Sequence, residues 1–432
     1  MELSIDLPAA GAGRLAALHR QIRAAIVDGR LAGGVRLPTT RELAGQLGVS
    51  RNTVVAAYEH LASEGYLVSR QRAGTFVATH TPRRGAVSGA SRSPSPGLLP
   101  DAWRGVEPWS GEAMRPGPRY DFRVGLPDHA QLPWADWRRL SVRAQREFAR
   151  APRAYTDPAG EPALRAAIAG HVSASRAVAC SADDVVITSG AQQAFALLAE
   201  LLVIPQRTVV AVEDPGYPPL QAALTFRGAR LHRTPLDGEG LRVDRLPAST
   251  KVVCVTPSHQ FPVGTAMSLQ RRAQLLDFAR RHRVAVIEDD YDGEFRFGGR
   301  PLDALHSLDR EGLVFYVGTF SKVLFPALRV GFVVAPAWAR ERLSAILHAT
   351  QGAPALLTQL MLAAFIREGH LGRHVRRMRR LYEARRDALL DAFDRSGRRR
   401  ARYNGLTFGL GLIGTEQVGT GVRALARLTA SA

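Results

Sequence analysis

Only two lysines stand among the 58 basic residues of this 432-residue chain, and one of them, Lys322, closes the segment Tyr316-Val317-Gly318-Thr319-Phe320-Ser321-Lys322. Arginine holds its proton at any working pH, whereas a partly buried lysine can become a neutral, nucleophilic amine. A carbonyl cofactor such as pyridoxal 5'-phosphate requires such an amine, as the partner in a Schiff base. Upstream, the run Val284-Ala285-Val286-Ile287 ends in Glu288-Asp289-Asp290-Tyr291-Asp292. Asp289 is the carboxylate expected to keep the cofactor's pyridine nitrogen protonated, which makes the ring an electron sink. Tyr291, two residues on and so on the same face of a continuing strand, would donate to the ring's phenolic oxygen. Thr319, Ser321 and Arg329 flank Lys322 as phosphate ligands, the arginine through a bidentate grip. Taken singly, Asp289 could cap a helix, Tyr291 could fill a core and Lys322 could sit on the surface. Together they ask for one ligand.

These side chains need a scaffold, and the pattern beyond Tyr120 supplies one. Helical segments alternate there with short β-branched runs at Val185–Thr188, Thr208–Val212, Val252–Val255, Val284–Ile287, Leu313–Val317 and Val330–Val334. That alternation predicts an α/β domain with a parallel or mixed sheet, whose ligands sit at the C-terminal strand ends. Thr188-Ser189-Gly190-Ala191-Gln192 follows one strand and opens a helix, so Gly190, Ala191 and Gln192 form a phosphate cradle of free backbone N–H groups. Tyr217, in Glu213-Asp214-Pro215-Gly216-Tyr217, brings an aromatic ring to the same edge, and Thr256-Pro257-Ser258-His259-Gln260-Phe261-Pro262 follows the next strand.

The first eighty residues read differently. Leu18, Ile22, Ala25 and Ile26 recur at helical spacing before Gly29, giving a first helix. Thr39 and Glu42 have capping-box spacing ahead of Leu43, Ala44 and Leu47. Ser50 is the N-cap of a third helix with Val54, Tyr58 and Leu61 inward. The short turn between the last two helices is that of a helix-turn-helix, and Arg51, Asn52 and Thr53 occupy the recognition helix's first turn, where side chains meet base edges. Tyr66–Ser69 and Thr75–Val77 read as a β-wing with arginines at its tip. This completes a winged helix over residues 1–78.

Residues 79–119 are rich in Pro, Gly, Ser, Ala and Arg and read as a flexible tether, with Trp103 and Trp109 as possible docking points. Residues 120–432 form the large domain. Cys180 and Cys254 are too few for a disulfide framework and read as buried structural thiols, and the twelve histidines lack metal-ligand spacing, so no metal is expected. No stretch is long and apolar enough to span a bilayer and no leader is apparent, which predicts a cytoplasmic protein without membrane association. The net charge of +19 suits an acidic partner, yet most of the excess lies outside the winged helix. The arginine pairs Arg376-Arg377, Arg379-Arg380 and Arg385-Arg386 and the run Arg398-Arg399-Arg400 are expected as solvated faces and turns.

Two resemblances rest on these residues. Leu37-Pro38-Thr39-Thr40-Arg41-Glu42-Leu43-Ala44, Gly48 to Val54, Glu64-Gly65-Tyr66-Leu67 and Gly74-Thr75-Phe76-Val77 resemble the head of GntR-type transcription regulators. That likeness implies contacts to double-stranded promoter DNA by Arg41, Ser50, Arg51, Asn52, Thr53, Arg72 and Gly74. His19, where the family more often has tyrosine, is expected to pack only. The motifs around Gly190, Tyr217, His259, Asp289 and Lys322 resemble the fold-type-I aminotransferase-like domain of the MocR subfamily of these regulators. The resemblance implies Lys322 for the internal aldimine, Asp289 for the pyridine nitrogen, Tyr291 for the phenolic oxygen and Tyr217 for stacking. By analogy it implies a homodimer in which Tyr155 reaches the phosphate in the neighbouring subunit. The chain departs from the family after the arginine-rich helix: too few residues remain for the usual C-terminal lobe, and Arg402 is the one positional candidate for a substrate carboxylate ligand.

The reading that follows is a DNA-binding transcription regulator that senses pyridoxal 5'-phosphate, alone or as an aldimine with a small amino compound. An active aminotransferase carrying a DNA-binding head is the alternative, and an inert dimerisation platform is a third.

Overall fold

The computed structural model describes residues 5–8, 13–70, 73–79, 117–151, 154–297, 303–395 and 407–430. The chain divides into two compact units, Met1–Val106 and Glu107–Ala432. Arg72, Trp103, Trp109, Arg398 to Arg400, Arg402 and nearly all of the tether lie outside the described residues.

In the first unit, α1 (Arg14–Val27), α2 (Thr40–Leu47) and α3 (Arg51–Ser63) enclose a core of Leu18, Ile22, Ile26, Leu43, Val54 and Leu61. Both halves of the Thr39–Glu42 capping box form: Glu42 N donates to Thr39 Oγ1 at 3.2 Å and Thr39 N to Glu42 Oε2 at 2.8 Å. Ser50 Oγ accepts from Thr53 N at 3.1 Å, and Gly48 (φ +60°) makes the left-handed turn between α2 and α3. Strands β1 (Leu67–Arg70) and β2 (Gly74–Val77) pair antiparallel from Leu67↔Val77 to Arg70↔Gly74, the expected wing. His19 does more than pack, correcting the sequence expectation. Its Nε2 lies 2.9 Å from Glu64 Oε1, a polar contact from α1 to the end of α3.

The second unit is built on β3 (Val185–Thr188), β4 (Val209–Asp214), β5 (Arg230–Asp237), β6 (Gly240–Leu241), β7 (Thr250–Val255), β8 (Ala285–Asp290), β9 (Val314–Thr319) and β10 (Gly331–Val334). They form one sheet in the order β3-β10-β9-β8-β7-β4-β5-β6. Strands β9, β8, β7, β4 and β5 run parallel, β10 is antiparallel to both β3 and β9, and β6 returns beside β5 as a hairpin. Period-two burial sorts the side chains. Phe315 and Val317 of β9 face a core shared with α6 (Ala191–Leu202), α7 (Pro218–Phe226) and α9 (Arg340–Thr350), while Val286 of β8 faces α8 (Leu269–His282). A third core joins α4 (Trp134–Phe148), α5 (Pro162–Arg176) and α10 (Leu356–Arg367) to the β3 side. With helices on both faces, functional groups are left the strand ends.

The long helix α11 (His370–Arg395) and α12 (Thr415–Ala430) close the unit, and no strand lies between them among the described residues. Arg385 on α11 corrects the expectation of a solvated face. It is buried, donating to Asp128 Oδ2 at 2.7 Å, Leu410 O at 3.0 Å and Gly411 O at 2.9 Å. Cys254 is buried as expected, but Cys180 is only half-buried, and burial still pushes its thiol up to about 11. Among the described residues no helix is long and apolar enough to cross a membrane, and no group of His, Cys, Asp or Glu is arranged to hold a metal.

Candidate functional site

Because β3, β4, β7, β8 and β9 share one direction, their C-terminal ends converge on one cleft of about 1010 Å³. Its walls include Ala191, Gln192, Tyr217, His259, Asp289, Tyr291, Thr319, Ser321, Lys322 and Arg329. Residues separated by more than a hundred positions in the chain thus meet in a single cavity, as the spacing of motifs and strands requires.

Lys322 follows β9 and is partly buried. Its Nζ donates to Gly125 O at 3.1 Å, and burial lowers its pKa against the opposing pull of Asp289 and Asp292. Gly125 could not be another residue without disturbance: its φ is +77°, and a Cβ there would lie 2.7 Å from Lys322 Nζ. Asp289 is the penultimate residue of β8 and is almost wholly buried. Burial first, then Asp290, Glu213 and Asp292, raise its pKa to about 8 with Lys322 opposing. Its Oδ1 is inaccessible and has no hydrogen-bond partner among the described residues, although buried polar atoms are normally satisfied. The site therefore holds an acceptor waiting for a donor.

Tyr291 stacks on His259 with ring centroids 6.0 Å apart, and its hydroxyl lies 3.4 Å from His259 Nδ1. That nitrogen also lies 2.7 Å from Asp292 Oδ2, and this carboxylate raises the imidazole's pKa. Tyr217 meets Phe195 and Phe261 edge-on, and burial raises the pKa of its phenol. Behind these rings, buried Glu213 accepts from Thr256 Oγ1 at 2.6 Å and Gln260 Nε2 at 3.2 Å. Burial raises Glu213 to about 7. Asp290 is turned the other way, accepting from Arg176 Nε at 2.7 Å and the Tyr316 hydroxyl at 2.6 Å. Successive carboxylates on β8 thus serve opposite faces, Asp289 the cleft and Asp290 the framework.

At the other end of the cleft, Gly190 (φ +90°) precedes α6, leaving the first N–H groups of that helix without intrahelical acceptors. A Cβ on Gly190 would lie 3.3 Å from the Arg329 guanidinium, so the glycine admits that side chain to the helix end. Thr319 Oγ1 donates to Ser321 Oγ at 3.0 Å. These donors and a helix N-terminus make a nest for a phosphate. The Gln192 side chain is committed elsewhere, donating to Pro219 O at 2.9 Å. Tyr155 is fully exposed and is not part of the cleft wall. The sequence reading missed Gly125, Arg296, Tyr382 and the Phe408–Gly411 segment, all of which line the cleft. Only the φ-permissive glycine left a mark legible in one dimension.

In the first unit, Arg41, Arg51 and Asn52 are exposed at the starts of α2 and α3, whereas the Ser50 and Thr53 hydroxyls hydrogen-bond each other at 2.8 Å. Gly74 (φ +108°) carries the wing turn, and Arg36, also missed from sequence, lies beside it through the Arg36↔Phe76 bridge.

Comparison with known proteins agrees with this geometry. Residues 123–408 match the family described as aminotransferase class I and II, and residues 16–77 match bacterial regulatory proteins of the gntR family. The chain is 40% identical over 371 residues, 85% of its length and 74% of the relative's, to a probable rhizopine catabolism regulatory protein, MocR, of Rhizobium meliloti. It is 34% identical to the pyridoxine biosynthesis transcriptional regulator PdxR of Corynebacterium glutamicum, covering 87% of this chain and 77% of that one. Among solved structures, Pyrococcus horikoshii kynurenine aminotransferase superposes with a TM-score of 0.64 at 26% identity, covering 72% of this chain and 90% of that one. The chain belongs to the MocR-like members of the GntR family of bacterial regulatory proteins, in which a winged helix-turn-helix head is joined to a domain of aminotransferase class I and II.

Proposed function

We propose that this regulator binds promoter DNA through its winged helix and senses pyridoxal 5'-phosphate in the cleft of the larger unit, alone or joined to a small amino compound. The observation that carries the cofactor reading is the buried, unpaired Asp289 Oδ1 within electrostatic reach of the Lys322 amine. When bound, the cofactor supplies a carbonyl for an amine and an electron-withdrawing ring. Lys322 is assigned the amine, and its burial enlarges the neutral fraction that can attack a carbonyl. Asp289 is assigned the ring nitrogen, whose N–H would satisfy the idle oxygen. Tyr291 is assigned the phenolic oxygen, held in orientation by His259, and Tyr217 the aromatic wall. Gly190, Ala191, Gln192, Thr319, Ser321 and Arg329 are assigned the phosphate, Ala191 and Gln192 through their backbone N–H groups.

On the DNA side, Arg41, Arg51 and Asn52 supply free side chains. Ser50 and Thr53, whose hydroxyls hold the cap, act through the α3 N-terminus, and Gly74 and Arg72 through the wing. A homodimer is part of the proposal, since Tyr155 has no role in its own cleft and would serve a neighbouring subunit. Absorption spectroscopy with borohydride reduction tests the cofactor assignment. Added pyridoxal phosphate should give a visible band, and reduction should fix the cofactor to the peptide carrying Lys322. A band of equal strength in Lys322→Ala would defeat the assignment.

A further inference from the structure

Helix α11 carries a run of charge that the cleft does not use. Between Glu368 and Glu383 the sequence has five arginines and no acid. Four of them, Arg373, Arg376, Arg377 and Arg380, recur at i, i+3, i+4 and i+7, the spacing that sets side chains on one face of a helix, and all four are exposed. The other face of α11 is occupied: Leu371, Met378 and Tyr382 are buried in the unit.

None of the four arginines has a carboxylate partner among the described residues. Glu368, just before the run, is taken by Arg143 at 2.5 Å and Arg139 at 3.5 Å, and Glu383, just after it, by Arg386 at 3.7 Å. Arg373 Nη2 donates instead to Glu368 O at 3.1 Å and lies 3.0 Å from His370 Nδ1. Arg377 donates to Gln131 O and lies 3.3 Å from His374 Nδ1. These contacts orient two guanidinium groups without bringing negative charge to them. Folding alone does not favour such a stripe. Like charges three and four residues apart repel, and a cation in the first turn, as at Arg373, opposes the helix dipole. A polyanion lying along the stripe removes the repulsion.

The chemistry and length of the stripe say which polyanion fits. From Arg373 to Arg380 the helix rises ~10 Å, an axial length over which duplex DNA presents about six phosphates. Guanidinium groups grip phosphate bidentately, and duplex DNA is the polyanion that the head of this regulator binds. A membrane surface fits less well, because a helix lying in lipid inserts an apolar face and that of α11 is already covered.

We infer that the Arg373, Arg376, Arg377 and Arg380 face of α11 is a second contact surface for duplex DNA, meeting phosphates rather than bases and therefore independent of sequence. It does not rest on the cofactor reading. The test uses the full chain and a fluorescent random-sequence duplex, with affinity followed by anisotropy at several salt concentrations. Each phosphate contact contributes about 0.9 to the slope of log affinity on log salt. Arg376 and Arg380 hydrogen-bond to nothing beyond their own helix among the described residues, so changing them to Gln leaves the fold's contacts in place. That double variant should flatten the slope by ~1.8 for each protomer engaged, and Gln at all four positions by ~3.6.

A control set, Arg207→Gln, Arg230→Gln, Arg310→Gln and Arg342→Gln, removes the same charge from exposed arginines elsewhere on the unit and should change the slope by less than about one unit. The difference between the two sets should persist when Arg51→Ala weakens the head. Equal flattening by both sets would reduce the effect to net charge, and an unchanged slope in the α11 variants would leave a solvated face; either result overturns the inference. Loss of binding to phosphatidylserine vesicles with the DNA slope unchanged would assign the stripe to lipid and overturn it as well.

Discussion

Asp289→Asn is expected to stabilise the cofactor-free protein increasingly as pH rises. The carboxyl is about 3% exposed, and burial followed by three neighbouring acids lifts its pKa from an ordinary 3.8 to about 8. Between those values the folded protein keeps a proton that the unfolded chain has released. Stability therefore falls as pH climbs from about 4 to about 8, by at most ~1.4 kcal/mol per unit for this one group. Asparagine has the same shape and no charge to titrate. Its amide brings its own unsatisfied donors, a cost on the order of 1–3 kcal/mol that does not change with pH. The absolute effect at one pH is thus a sum of two opposing quantities, but the slope belongs to the carboxyl alone. From about pH 6 to about pH 7.5 the variant should gain up to ~2 kcal/mol relative to the native protein. Denaturant unfolding of both proteins at several pH values reads that difference, and Glu213 and Glu288, buried in both, largely cancel. A difference that stays flat or shrinks with pH would refute the placement of a neutral carboxyl in the cleft. With pyridoxal phosphate bound, the sign should reverse, because the carboxylate gains the partner its Oδ1 lacks.

Other substitutions test the frame. Arg385→Ala removes a buried guanidinium that joins Asp128 to Leu410 and Gly411, leaving a carboxylate unpaired. It should cost about 3–5 kcal/mol in denaturant unfolding and speed hydrogen exchange across residues 121–128. Gly125→Ala places a Cβ 2.7 Å from Lys322 Nζ at a φ of +77°. It should cost about 1–3 kcal/mol and slow cofactor uptake followed by absorbance, whereas Gly29→Ala, also at positive φ but with open space around it, should leave uptake untouched. Thr39→Ala opens the capping box of α2 and should destabilise the head by about 1 kcal/mol in thermal unfolding. Arg51→Ala should weaken DNA binding, and if it meets a phosphate the dependence of log affinity on log salt should flatten by about one unit.

Most of the frame could be read in one dimension because its signals are local. The β-branched runs became β3, with the expected bounds, and β4 and β7 to β10, with ends displaced by at most three residues, since apolar periodicity follows directly from strand geometry. Strand β5, Arg-Leu-His-Arg-Thr-Pro-Leu-Asp, was not legible. Next to last in the sheet, it is largely unburied and carries no continuous apolar run. The capping box and the Ser50 cap were legible because their partners lie three residues apart. His19 was not, because Glu64 is forty-five residues away.

The same division holds for the site. Residue types alone marked Lys322 as an amine, Asp289 and Tyr291 as one face of a strand, and Gly190 as a helix-opening glycine, because intrinsic chemistry and backbone geometry travel with the residue. Which carboxylate is left without a partner, which arginines are neutralised and which glycine must yield to a lysine depended on contacts across the chain. Arg176 and Arg296 are the same residue type, and only folding brings Asp290 to one while no acid among the described residues pairs with the other. Burial and long-range pairing set the charge state of a group, and neither exists until distant strands lie side by side.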